Sequence, residues 1–483
     1  MTSLVDSIKK LRQWLHPRQL LIAPILIVLI MGLGFAIYRV SPFFIFAGLG
    51  VIGLAMVVFR NPWHGLYLIA FFLPFERIGS YDMGGVTIRP SQVTALLTML
   101  SATMYFLGRK RFNLPSLPIL APLGVFVIAQ LIGLLVAPNL ERAILVTVFT
   151  WFTFGISLLV PTLIRTKADV RSVLKWMFAA LLIVGLFGIY QFLGDLAGLP
   201  PELTGLRELY TKDILGFPRV QSTALEPLYY ANYLLIPLSI LLAFFFSREK
   251  SFHPLWVVSL FGLGVVNMAL TVARGGYIAF AVSCAIIVVY FFFQLKLITW
   301  RNLWYIFLVG VLALGIASQA VGVDVIQEQF LSHVTDLFGG ASYNERAEMF
   351  DVAYVAWLDH PIFGIGSGSF GPYESAHPYT VPEHGWRIVN NEYLEVLAEN
   401  GAVGLTALIV IFLIVIVRSV KAVTRAEDPF IKAALVGLCA AFIGILVQYN
   451  TFSVLYIVHI WFAVGLLVAL QNIALAPKPV VQK

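Results

Sequence analysis

Apolar residues in this chain gather into uninterrupted runs, and these recur from about Leu20 to Leu470. Roughly 17–25 residues of helix cross the hydrocarbon of a bilayer. Lipid offers no hydrogen-bond partners, so each crossing run must satisfy its own backbone as a helix. A membrane barrel would show short alternating strands instead, and the continuity of these runs excludes it. Of the 483 residues, 60% are hydrophobic and 12% charged, whereas a soluble domain carries roughly 25% charged residues. The chain therefore reads as an all-α polytopic membrane protein.

The runs predict about fourteen helices, near 19–38, 42–59, 63–75, 91–107, 117–137, 142–164, 173–194, 228–246, 254–271, 275–293, 303–320, 402–418, 431–449 and 453–470. The third is short, ends at Pro74 and is a candidate for a re-entrant segment. Basic residues set the direction. Lys9, Lys10, Arg12 and Arg18 precede the first helix, and every second loop repeats the pattern: Arg60; Arg109 to Arg111; Arg165 to Arg171; Arg248 and Lys250; Lys296 and Arg301; Arg418 to Lys432. Such alternation places these loops and both termini in the cytoplasm. The net charge of +7 is thus a matter of orientation, with no nucleic-acid partner implied. The first run is too long for the apolar core of a cleaved secretory signal. Cys284 and Cys439 fall inside helices, outside any metal-ligand spacing or disulfide framework.

Two loops on the opposite side are long, at about 195–227 and 322–401. The second holds twelve of the chain's 25 acidic residues but only two arginines, Arg346 and Arg387. Long loops in compact proteins are usually functional. Within this one, 344–358 and 391–399 read as helical, with Gly- and Pro-rich turns between them. The chain divides accordingly into N-terminal helices (1–204), a core (205–420) that includes the loop domain 322–401, and C-terminal helices (421–483).

Few polar groups fall inside the helices. His459 is the main ionisable one, with Gln130 and Asn267 as uncharged companions. Its plainer role is a neutral histidine hydrogen-bonded between helices, although intramembrane ionisable groups often serve function. Arg274, in Ala273-Arg274-Gly275-Gly276, sits where one helix ends outside and the next begins, against the positive-inside bias. A snorkelling arginine would explain it. So would an anion clamp, because guanidinium grips phosphate oxygens in a bidentate fork. Arg346 fits either an ion pair on a solvated helix or the same clamp, and for Arg387 the ion pair is the simpler account. The glycine-rich string Gly364 to Phe370 reads as a turn, since it lies away from any cytoplasmic nucleotide. Gly401 reads as a helix C-cap.

In this order the segments resemble the O-antigen ligase and polymerase family over roughly 205–420. Arg219 to Thr223, with Glu226-Pro227 and Ala231 to Leu234, is similar to the stretch before the family's core. Ala273 to Gly276 resembles its Ser-Arg-Gly signature. Arg346, Trp357, His360-Pro361 and Gly364-Ile365-Gly366 resemble its loop arginine and His-Pro-x-x-Gly-x-Gly run. Asn390-Asn391, nine residues and Gly401-x-x-Gly404 resemble the ligase motif, with Asn390 in place of its histidine.

The resemblance implies a bacterial inner-membrane enzyme that transfers a glycan from an undecaprenyl-pyrophosphate carrier to an acceptor hydroxyl at the outer face. It implies Arg274, Arg346 and Asn390 as catalytic, and Arg219, Glu226, Asn391, Glu392, Tyr393, His384 and Trp357 as substrate-binding. Its partners would be the lipid-linked donor, a glycan or lipid-linked acceptor and membrane lipids, with no cofactor or metal. An amide cannot act as a base near neutral pH, so a polymerase, or a transferase using His384, Glu383 or Glu392, is favoured over a standard ligase. His377, His384 and Glu383 leave a small case for a metal. A lipid-linked oligosaccharide flippase is the main rival, but it would need a charged path through the membrane. A non-catalytic envelope scaffold is the second.

Overall fold

The computed structural model describes residues 42–83, 86–108, 114–294, 304, 341–382, 385–453 and 455–477. The predicted helices at 19–38 and 303–320, together with Glu383 and His384, lie outside the described residues. The chain separates into two compact units, Met1–Asn61 and Pro62–Lys483. Helix α1 (Pro42–Arg60) belongs to the first; everything below concerns the second.

Among its described residues that unit is helical, apart from one small antiparallel hairpin in which Tyr81–Met83 pairs with Val86–Ile88. Its principal helices are α2 (Pro62–Phe72), α3 (Pro90–Leu107), α4 (Leu120–Gly133), α5 (Leu140–Leu163), α6 (Lys167–Leu196), α7 (Pro227–Ser247), α8 (Pro254–Leu270), α9 (Arg274–Val289), α10 (Ala341–Asp359), α11 (Glu392–Arg425), α12 (Pro429–Gln448) and α13 (Val458–Leu475). Seven helices among the described residues are long and apolar enough to cross a membrane: α5, α6, α7, α9 (with the turn after it), α11, α12 and α13. The run at 63–75 yields only the 11-residue α2. Helices α4 and α8 are apolar but shorter than a full span. The last helix begins at Val458 rather than 453, because the 449–457 stretch forms a link between α12 and α13.

Local chemistry fixes several starts. Thr166 and Asp169 form a capping box at α6. Asn139 caps α5, and Asp428 caps α12 ahead of a proline at the first helical position. The centre is α7, which packs against α8, α9 and α12. Leu234, Leu238 and Leu241 of α7 are fully buried. Around it α13 lies on α5, α11 on α4, and α2 on α3 and α6.

Loops meet in two groups. At one end Lys167 pairs with Asp428 at 2.8 Å, Arg171 donates to the Ser251 carbonyl at 2.8 Å, and Arg418 donates to Ser116 at 3.0 Å. At the other end the starts of α7, α9, α11 and α13 converge, and the candidate site lies there.

Candidate functional site

The strap from Phe217 to Glu226 leads into α7. It is laid down by backbone bonds from Arg219 N–H to the Tyr210 carbonyl and from Val220 N–H to the Leu270 carbonyl, at 2.8 and 2.9 Å. Ser222 adopts a left-handed φ of 50°, held by its N–H to Gln191 at 2.7 Å and its hydroxyl to the Val184 carbonyl at 2.7 Å. A second segment is stitched on beside it: the Thr223 carbonyl accepts the N–H groups of Glu76 and Arg77, at 3.2 and 2.9 Å.

The strap delivers Arg219 to the turn before α9. Its Nε donates to the Thr271 carbonyl at 3.3 Å and its Nη2 to the Val272 carbonyl at 3.2 Å. The guanidinium carbon also stands 5.7 Å from the Tyr210 ring centroid, a cation–π approach. Burial pulls the Arg219 pKa down, and the charge of Arg274 is a smaller contribution in the same direction. An arginine stays cationic through such a shift. Arg274 is the first residue of α9. The two glycines after it are places of close approach. A methyl on Gly275 would fall 2.1 Å from the Thr451 hydroxyl, and one on Gly276 would fall 2.7 Å from the Ala231 methyl.

Glu226 immediately precedes α7, its carboxylate 3.9 Å from Arg207. Arg77 donates to the Gly205 carbonyl, and Arg89 donates to the Glu76 carbonyl at 3.2 Å. Burial lowers the pKa of Arg77 too, with Arg207 adding its repulsion. Arg77, Arg89 and Arg207 thus join Arg219 and Arg274 around Glu76 and Glu226. Sequence reasoning missed all three. The signal was present: each is an arginine in a loop on the side that should be poor in cations, which is the argument that singled out Arg274.

The start of α11 reaches the same end. Asn390 holds a left-handed φ of 58°. Asn391 caps the helix by accepting the Leu394 N–H at 3.1 Å. Glu392 is buried, and its N–H donates to the Tyr449 carbonyl at 2.8 Å. The Tyr393 hydroxyl donates to the Leu446 carbonyl at 2.7 Å. The 446–453 stretch therefore touches Glu392 and Tyr393 on one side and Gly275, through Thr451, on the other.

The expected helices at 344–358 and 391–399 appear as α10 and the first part of α11. A small core of Met349, Ala353, Ala356, Ile365, Phe370, Val389 and Ala398 joins them. The Gly364 to Phe370 string is a turn, as expected, and it is fastened to α11. Ile365 N–H donates to the Ala398 carbonyl and Gly366 N–H to the Glu399 carbonyl. Gly401, with φ 64° and ψ −170°, breaks α11 instead of leading out of it. Arg346 is half-buried on α10, one turn ahead of Met349, and α10 packs on α11. Trp357 closes the end of α10, its indole donating to the Pro361 carbonyl at 3.1 Å. Arg387 makes the expected exposed ion pair, with Glu374 at 3.1 Å. The described contacts bring Arg219, Glu226 and Arg274 together and link them to Asn391, Glu392 and Tyr393; Arg346 and Trp357 lie on α10.

Apolar helices that converge on a basic site define a multi-pass membrane protein. Residues 258–409 match the family model described as O-antigen ligase. The match takes in Arg274, Arg346, Asn390 and the Gly401–Gly404 pair; Arg219 and Glu226 precede it. The chain is also 26% identical over 302 residues to an uncharacterised protein of Haemophilus influenzae, covering 58% of this chain and 73% of the relative.

Proposed function

We propose that this protein transfers a glycan from an undecaprenyl-pyrophosphate-linked donor to an acceptor hydroxyl at the outer face of the bacterial inner membrane. The observation that carries this reading is the fastening of Arg219 to the turn that presents Arg274, inside an O-antigen ligase-type chain. The donor sugar bears a pyrophosphate on its anomeric carbon, and departure of that group develops negative charge. Guanidinium groups fixed where that charge appears stabilise the transition state more than the ground state. Burial strengthens the effect by excluding water.

In this reading Arg274 and Arg219 grip the pyrophosphate and Arg346 reaches it from the loop domain. Asn390 to Tyr393, with His384 and Trp357, border the acceptor and the sugars. With Asn390 in the place of the ligase histidine, we favour polymerisation of a surface polysaccharide over attachment of a finished one.

The test is transfer by purified protein in liposomes, supplied with a lipid-linked oligosaccharide and an acceptor. A transferase elongates or attaches glycan. A flippase or scaffold leaves every covalent bond unchanged, and that result would remove the proposal. Product analysis after gene deletion separates the two transferase types. Single repeats left on the carrier or acceptor mark a polymerase, whereas full-length glycan left on the carrier marks a ligase.

A further inference from the structure

Between α7, α12 and α13 a chain of buried amides ends on a histidine. The Leu228 carbonyl can only accept, and it takes a hydrogen bond from Gln448 Nε2 at 3.3 Å. That fixes Gln448 Oε1 toward Asn232, whose Nδ2 donates to it at 2.9 Å. Asn232 Oδ1 is thereby turned to His459 and stands 2.7 Å from Nε2. An amide oxygen only accepts, so Nε2 must carry the proton. In the neutral ring the free lone pair then belongs to Nδ1.

His459 Nδ1 has no hydrogen-bond partner although the side chain is only 1% exposed. An unpaired buried polar atom costs about 1–3 kcal/mol, so the group that faces Nδ1 matters. The group facing Nδ1 is the Glu76 carboxylate, at 3.6 Å and 10% exposed. Its other oxygen is 3.4 Å from the Leu225 N–H, one residue before Glu226. Glu76 thus sits where the strap of Arg219 and Glu226 meets the start of α13, with its side chain 10% exposed.

We propose that Glu76, backed by His459, accepts the proton of the acceptor hydroxyl, the part that Asn390 cannot play. This rests on the glycan-transferase reading above. As the hydroxyl oxygen bonds to the anomeric carbon, the bond from that carbon to the pyrophosphate oxygen breaks, and its electron pair leaves with the carrier. The hydroxyl proton passes to a Glu76 oxygen and on to His459 Nδ1, and it is released to water as product departs. Asn232 and Gln448 are positioning residues that hold the imidazole in the receptive tautomer.

The test uses the full chain in liposomes with an undecaprenyl-pyrophosphate-linked oligosaccharide, reading kcat, donor KM and donor binding separately. Glu76→Gln should lower kcat about 10²–10⁴-fold, the usual contribution of a general base, with donor KM and binding unchanged. His459→Gln keeps a donor for Asn232 but removes the basic ring nitrogen, and should lower kcat by less. Glu76→Asp should retain part of the activity, and formate should restore part of it to Glu76→Ala by placing a small carboxylate in the vacated space. Wild-type turnover by Glu76→Gln would overturn the dyad alone. So would a Glu76→Ala variant that loses donor binding and gains nothing from formate, because Glu76 would then be structural. A wild-type protein that binds donor yet transfers nothing would overturn the transferase reading and the dyad with it.

Discussion

Arg219 donates to the carbonyl of Val272 at 3.2 Å, two residues before Arg274. One arginine therefore builds the turn that aims the other. Val272 itself has a left-handed φ of 48°, a conformation that costs a β-branched residue free energy and that Arg219 helps to hold.

Arg274→Ala is expected to abolish detectable transfer, with a loss of at least about 10²-fold in kcat, the scale of removing one charge-stabilising donor. Arg274→Lys should recover little, because an ammonium keeps the charge but lacks the planar fork. Both variants should insert and purify as wild type. Transfer assays on reconstituted protein check this, and full activity in Arg274→Ala would remove the clamp.

Arg219→Ala removes a cation and also both ties to the α9 turn. Activity should fall about 10–10²-fold in kcat/KM, and Arg219→Lys should lie between alanine and wild type. Steady-state kinetics with varied donor provide the measurement. Equal activity in all three proteins would show that the strap does not position the site.

Asn390 occupies a left-handed conformation that asparagine and glycine tolerate and alanine does not. Asn390→Gly should remain close to wild type in stability, while Asn390→Ala should cost about 1 kcal/mol. Both should be milder than Arg274→Ala in transfer. Complete loss of activity on either substitution would give the amide a direct role in orienting the acceptor.

Gly364 and Gly401 lie where the loop turn crosses the break in α11, with φ of 71° and 64°. A methyl on Gly364 would fall 2.3 Å from the Glu399 carbonyl carbon, and one on Gly401 2.3 Å from the Ile362 carbonyl oxygen. Both neighbours are backbone and cannot turn aside. Alanine at either position should destabilise the protein by about 3 kcal/mol or more. Gly262 has no atom within 4 Å of the place a methyl would occupy, so Gly262→Ala should shift stability by less than about 0.5 kcal/mol. Thermal unfolding in detergent, with limited proteolysis of the loop, measures both.

Much of the architecture was legible because membrane helices are written in local sequence. Twelve of the fourteen predicted runs are helical among the described residues. Seven helices among the described residues are long and apolar enough to cross a membrane. Arg274 was legible as a cation out of place, and the Gly364 to Phe370 turn as a run unsuited to a helix. The Gly401 break was only half legible: glycine announced a stop, but the resumption of helix at Ala402 depends on the Pro361 carbonyl, which accepts the Ala402 N–H at 2.9 Å.

By itself the sequence determined a helical membrane chain, its runs, its cation asymmetry and the stretch that matches the O-antigen ligase model, since all of these reside in neighbouring residues. Only the tertiary structure decided that Arg77, Arg89 and Arg207 join Arg219 and Arg274, and that Glu76 faces His459 across 383 positions. Contacts of that separation follow from how helix ends converge, and no local pattern encodes them. The physical reason is that hydrophobic burial fixes the bundle without regard to chain distance, and the polar groups at its end meet as a result.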